Sequence, residues 1–247
     1  MVCNHKEGES MKQRKQSLAI VLVCLVVTAG FVYAGIEAGR DSLTKLIDGN
    51  KRFMSGELTR KDIGQDRRQE LAKGQQPFAT VISCSDSRVP PEIIFDQGLG
   101  DIFVVRVAGN VVESASLGSI EYGVEHLHTP LLVILGHESC GAVKAALEAK
   151  GKAEGNIGAI LKKIMPAVET ARRAKKDPSE TLNIAVRENV KNTYKDIMKS
   201  KIVRELVHEG KLKIVGAEYY LNTGKFELID LGTSSEKHEG HHLKEAA

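Results

Sequence analysis

Tryptophan is missing from this chain altogether, and aromatic side chains make up only 4% of it. No stretch of lysine and arginine with aromatics between them appears either, so the stacking and charge that grip nucleic acid are lacking. Neither sign of charge dominates: 35 basic side chains stand against 32 acidic ones, for a net charge of +3. Bulk charge therefore selects no partner, and a substrate has to be argued from a site. Internal repeats and linker-like stretches are absent too, which leaves residues 35–231 to one domain with a sizeable core. At 42% hydrophobic and 27% charged, the composition is that of an ordinary soluble globular protein.

The first 34 residues read differently. Lys12, Arg14 and Lys15 precede an apolar run from Leu18 to Ala34, and Val32-Tyr33-Ala34 offers a small-residue cleavage pattern. A basic patch, an apolar stretch and a small residue at the cut describe a secretory signal peptide, with cleavage after Ala34. The run is barely long enough to span a bilayer, so an uncleaved membrane anchor over residues 18–34 is the alternative. The expected location is periplasmic or secreted. Met11 serves as well as Met1 for a start. Of four cysteines, Cys3 and Cys24 fall in this segment, leaving Cys84 and Cys140 to the mature chain. In an exported protein two cysteines ordinarily suggest one disulfide.

Beyond the signal, Asp41-Ser42 reads as a helix start, with Leu43, Leu46, Ile47 and Phe53 at helical spacing. Gly64 to Gly74 reads as a charged helix closed by glycine. Phe78 to Cys84, Ile102 to Ala108 and Leu131 to Leu135 are short valine- and isoleucine-rich runs, each followed by a turn signal or polar start and then a helical stretch. That alternation predicts an α/β fold, a mostly parallel central sheet flanked by helices. Residues 139–149, 156–174 and 178–208 read as further helices. A strand pair follows at Lys213 to Leu221 and Phe226 to Leu231, and 232–247 is a polar tail holding His238, His241 and His242.

The chemistry-bearing residues converge. Cys84 ends the first apolar strand, followed by Asp86 and Arg88; His137 ends the third; Cys140 comes three residues later where a helix begins. Ligands in open α/β sheets bind beyond the carboxyl ends of strands. Two thiolates and one imidazole suit Zn²⁺, and three protein ligands leave the fourth tetrahedral position open. A helix N-terminus favours the Cys140 thiolate. On the residues alone, a Cys84–Cys140 disulfide and an Asp86–Arg88 structural ion pair remain the competing readings.

Cys-x-Asp-x-Arg at 84–88 followed by His-x-x-Cys at 137–140 resembles the signature of the β-carbonic anhydrases. The likeness runs from about Leu43 through Leu147, including Gly49-Asn50-Lys51-Arg52-Phe53. It implies that Cys84, His137 and Cys140 hold zinc and that Asp86 accepts a hydrogen bond from hydroxide on the metal while Arg88 holds Asp86. In some members this aspartate swings onto the metal and closes the site. The segment Leu71 to Gln75 resembles the plant-type subclass, which implies a substrate-binding role for Gln75 and an apolar pocket formed by Phe103 and Tyr122. Val81 stands where the other subclass carries a tryptophan belonging to an inhibitory bicarbonate site, so no such site is expected. The activity implied is hydration of CO₂ to bicarbonate, with the Gly141 amide also holding substrate oxygens. The alternative is hydrolysis of carbonyl sulfide or carbon disulfide on the same scaffold. His126 and His128, expected on an amphipathic helix, are candidates for moving the proton. A homo-oligomer, at least a dimer, is expected from the resemblance and from the helix at 42–54, which has no obvious place in the cover of a single sheet. No nucleic acid is expected as partner, and membrane only if the N-terminal segment stays attached.

Overall fold

In a computed structural model describing residues 34–149 and 155–232, the apolar runs become β1 (Ala79–Ser83), β2 (Ile102–Arg106) and β3 (Leu131–His137). The C-terminal pair is β4 (Lys213–Tyr219) and β5 (Phe226–Ile229). They form one sheet in the order β2-β1-β3-β4-β5. β1 pairs parallel with β2 and β3, β3 pairs parallel with β4, and only β5 runs antiparallel. Every residue of β1 and β3 is buried, which is why these strands are mostly apolar rather than alternating, with Thr80, Ser83 and His137 as the buried polar exceptions.

From β1 the chain steps outward to β2, then returns to the other side of β1 to lay down β3. That reversal makes the carboxyl ends of β1 and β3 a topological switch point, where connections leave in opposite directions and a crevice opens. Cys84 directly follows β1, and His137 is the last residue of β3.

Helices cover both faces. Residues 34–55 form α1, followed by α2 (Gln65–Leu71), α3 (Pro91–Ile94), α4 (Ser114–Glu121), α5 (Gly141–Glu148), α6 (Ile157–Arg173), α7 (Pro178–Ile197) and α8 (Lys201–His208). On one face Leu43 and Leu46 of α1 pack with Val81, Val133, Val215, Phe95 and Phe226. On the other, Ile82 and Ile134 meet Val190 and Ile197 of α7. Gly136 admits that helix: a Cβ there would lie 2.7 Å from Val190 Cγ2.

Three expectations need correction. The chain is already helical at residue 34, well before Asp41-Ser42, and Ser42 is buried. Two glycines permit this, because a Cβ at Gly35 would sit 2.3 Å from Gly210 O and one at Gly39 2.9 Å from Pro130 O. The helix at 42–54 also has a place in this single chain's cover, through Leu43 and Leu46, so it no longer argues for an oligomer. His126 ends a π-helical turn, Tyr122–His126, and His128 follows with φ 55°, so the two histidines do not share an amphipathic helix. The signal segment up to residue 33, with Cys3 and Cys24, and the histidines of the tail lie outside the described residues.

Candidate metal centre

The switch point gathers three donors. One ligand atom each from Cys84, His137 and Cys140 lies within 4.8 Å of the other two, and all three residues are buried. No second group of three such residues occurs among the described residues. Both cysteines are free thiols, so the disulfide reading does not describe this structure.

His137 carries the sharpest sign of a missing partner. Its Nδ1 sits 2.9 Å from the Glu138 carbonyl, which fixes Nδ1 as the donor and leaves Nε2 bearing a lone pair. Nε2 is buried and has no hydrogen-bond partner, a costly arrangement unless something accepts that lone pair. The thiols make the same point. The two sulfurs lie close enough to share one proton: that contact pulls the Cys84 thiol down and, together with burial, pushes Cys140 up. The amides of Ala142 and Val143 at the start of α5 work the other way, favouring a Cys140 thiolate. A divalent cation replacing the shared proton would satisfy both sulfurs and the imidazole at once. The donor set suits zinc, with three ligands and one position to spare.

Asp86 and Arg88 sit beside this cluster. Arg88 grips the carboxylate with two parallel bonds, Nε to Oδ1 at 2.9 Å and Nη2 to Oδ2 at 2.8 Å, and its backbone N–H adds a third to Oδ1 at 2.9 Å. The guanidinium holds the Asp86 carboxyl well below the usual carboxylate range. Oδ2 lies 3.8 Å from His137 Nε2, so one edge of the carboxylate faces the donor cluster while the other is spent on Arg88. The aspartate is turned toward its arginine and does not join the three ligands.

Two residues unforeseen in the sequence hold this loop. Arg106, the last residue of β2, donates from Nε to the Cys84 carbonyl at 3.0 Å and from Nη2 to the Asp86 carbonyl at 2.5 Å. Gly109 donates its N–H to Cys84 Sγ at 3.2 Å. Neither carries a sequence signal: a strand-end arginine reads as a surface cation, and a backbone amide is invisible to residue type.

The expected substrate contacts divide. Gly141 opens α5, so its amide is one of the first-turn donors without an intrahelical acceptor, and the space where its Cβ would project is open. Gln75, Phe103 and Tyr122 lie elsewhere. Gln75 is exposed ahead of β1, beside Leu71 and Gly100. Phe103 pairs in register with Thr80, near the start of β1. Ala79 is separated from Cys84 by about 17 Å of strand, and Thr80 by about 13 Å. Phe103 and Tyr122 do pair, with ring centroids 6.0 Å apart, and Tyr122 is 47% exposed. These three residues therefore lie toward the opposite end of the strands from the donors of their own chain.

Known proteins share both the sequence and the fold. The profile of the family described as carbonic anhydrase matches residues 79–226. Carbonic anhydrase 2 of Mycobacterium tuberculosis is 43% identical over 189 residues, covering 75% of this chain and 90% of that protein. A carbonic anhydrase of Mycolicibacterium smegmatis is 42% identical over 187 residues, covering 74% and 89%. Among solved structures, a β-carbonic anhydrase of Aspergillus fumigatus superposes with a TM-score of 0.64 at 31% identity, covering 69% of this chain and 84% of that one. Another neighbour comes from a study of two tetrameric β-carbonic anhydrases of Sordaria macrospora: TM-score 0.62, 29% identity, 66% and 85% covered.

Proposed function

This chain belongs to the β-carbonic anhydrase family, and from that membership we infer that it hydrates CO₂ reversibly at a zinc ion held by Cys84, His137 and Cys140. The observation that carries the zinc assignment is the buried, partnerless Nε2 of His137 aimed among two free thiols. When bound, the ion supplies a Lewis acid that brings the pKa of a water in its open position toward neutrality.

The chain's own residues then orient and hold. With Arg88 keeping it ionised, Asp86 is too acidic to store a proton at neutral pH, so it acts as a fixed acceptor. Its Oδ2 would accept a hydrogen bond from the attacking water and leave an oxygen lone pair directed at the carbon of CO₂. Water and CO₂ yield bicarbonate, and the released proton goes to solvent. The Gly141 amide is available to a substrate oxygen. Arg106, clamping the carbonyls of Cys84 and Asp86, prevents the dyad from drifting relative to the first ligand.

Because Gln75, Phe103 and Tyr122 stand at the far end of the strands, they reach a metal centre only from another copy of the chain. The working form is thus a homodimer or a larger homo-oligomer, in which each site takes its donors from one chain and its glutamine and aromatics from the next. Export through the N-terminal segment, with residues 1–34 removed, completes the reading.

The test is zinc analysis of the purified protein together with stopped-flow CO₂ hydration. One zinc per chain, with both metal and activity lost on Cys84→Ala or His137→Ala, is the expected result. Full activity in metal-free protein would overturn it, and turnover of carbonyl sulfide without CO₂ hydration would reassign the substrate.

A further inference from the structure

Cys84 is held by more than its own loop. The Gly109 N–H that reaches its sulfur belongs to the 3₁₀ turn Ala108–Asn110, between β2 and α4. Gly109 has φ 68°, and a Cβ there would meet Ile164 Cδ1 at 2.7 Å, so the turn favours glycine at this point. Within the turn itself only the Asn110 N–H to the Val107 carbonyl, at 2.8 Å, holds its shape. Two side chains from the other half of the chain supply what it lacks. Asn189 of α7 donates from Nδ2 to the Gly109 carbonyl at 2.7 Å, and Thr193, one helical turn later, donates from Oγ1 to the Asn110 carbonyl at 3.1 Å.

Both side chains are buried, Asn189 at 1% and Thr193 at 3% exposure. Asparagine and threonine are poor choices inside a buried helix face, since each must find a partner or lose free energy on burial. Apolar residues would pack α7 on β3 equally well, as Val186 and Val190 do against Gly136. What the polar pair adds is direction. It clamps the carbonyls of the two peptides that follow the Gly109 N–H, and so restricts the turn from which that N–H reaches Cys84.

Resting on the zinc reading above, we propose that Asn189 and Thr193 are positioning residues of the metal centre, acting through the Gly109–Asn110 turn to hold an N–H donor on the Cys84 sulfur. An N–H bonded to a thiolate lowers the energy of its lone pairs and fixes the direction from which the sulfur meets a cation. Partners of this kind, which orient a ligand without touching the metal, change metal affinity by about 10- to 100-fold when removed.

The experiment uses the full chain loaded with zinc and, separately, with cobalt(II), whose thiolate-to-metal charge-transfer band reports the sulfur lone pairs directly. The variants are Asn189→Ala, Thr193→Val, which removes the hydroxyl at constant shape, and Thr193→Ser, which keeps it. Asn189→Ala and Thr193→Val are expected to release zinc to a chelator about tenfold faster than the parent and to move the charge-transfer band to longer wavelength, while Thr193→Ser matches the parent. If Asn189→Ala does not fold, the Thr193 pair decides. Parent-like release and an unmoved band in Thr193→Val would mean that the hydroxyl serves packing alone, and the proposal falls. A parent chain that binds neither ion would remove the zinc reading first, and this proposal with it.

Discussion

Exchanging Asp86 for asparagine is the most informative single change at the site, because the geometry says how it fails. Oδ1 accepts two bonds from Arg88, its backbone N–H and Nε, so the amide oxygen of the variant takes that position. The amide nitrogen is then forced into the place of Oδ2, where it meets the Arg88 Nη2 donor and presents N–H, not an acceptor, to the donor cluster. Two losses add up. The charge-assisted bond to the attacking water is gone, worth about 2 kcal/mol, and a donor now faces a donor across the exposed Arg88 Nη2, which loosens the dyad. At 1.36 kcal/mol per tenfold, the first loss alone should lower the turnover number by about 30-fold. Zinc content should not change, since all three ligand atoms remain. The assay is stopped-flow CO₂ hydration normalised to zinc measured on the same sample. Rates within about threefold of the parent at full zinc occupancy would show that Asp86 does not orient the nucleophile, and that the dyad is a structural bridge.

Three further outcomes are expected. Asp96, whose side chain is 2% exposed, pairs with Arg52 at 2.6 Å and Lys61 at 3.0 Å and also accepts from Thr59. Burial raises its carboxyl, but the bonds from Arg52, Lys61 and Thr59 outweigh that and hold it well below the usual range. A depressed folded pKa contributes stability that is present above the unfolded value near 3.9 and is lost as pH falls through the folded one. Asp96→Asn tolerates the positive φ of 49° and should cost about 2–3 kcal/mol in urea unfolding at pH 7, less than a fully buried pair because both cations are partly exposed. The difference should shrink below about pH 4; a pH-independent gap would refute the ion-pair account. Mixing inactive Asp86→Asn and Gln75→Ala chains should restore part of the activity, because a mixed dimer contains one site with both residues intact; no recovery, or a monomer on sedimentation, would argue against a shared site. N-terminal sequencing of cell-derived protein should begin at or near Gly35 with Cys84 and Cys140 reduced once zinc is removed, whereas an intact Met1 or Met11 in membranes would indicate an anchor.

The ligand set was readable because its signals are local. Cys84 and His137 end short runs rich in valine, isoleucine and leucine, and a run buried on both faces can be recognised without knowing its neighbours. Cys140 announces itself by its spacing from His137. The supports are unreadable for the opposite reason. Asn189 and Thr193 look like the polar side of an amphipathic helix, and only the docking of α7 turns them inward. Ser114–Glu121 has a weakly amphipathic pattern and continues into a π-helical turn, so periodicity offers little there. Resemblance could name Gln75, Phe103 and Tyr122 but not the end of the sheet on which they lie.

The pairing of β1 directly with β3 has a consequence for how the protein comes apart. His137 and Cys140 are close neighbours in the chain, whereas Cys84 reaches them only across the whole excursion through β2 and α4. An ion bound by all three would staple that excursion shut. Chain-entropy reasoning for a covalent cross-link closing roughly fifty residues puts the stabilisation near 4 kcal/mol, a large share of what a domain of this size has in hand. Metal and fold would therefore be lost together, and a chelator would shorten the lifetime of the folded chain even where no substrate is present.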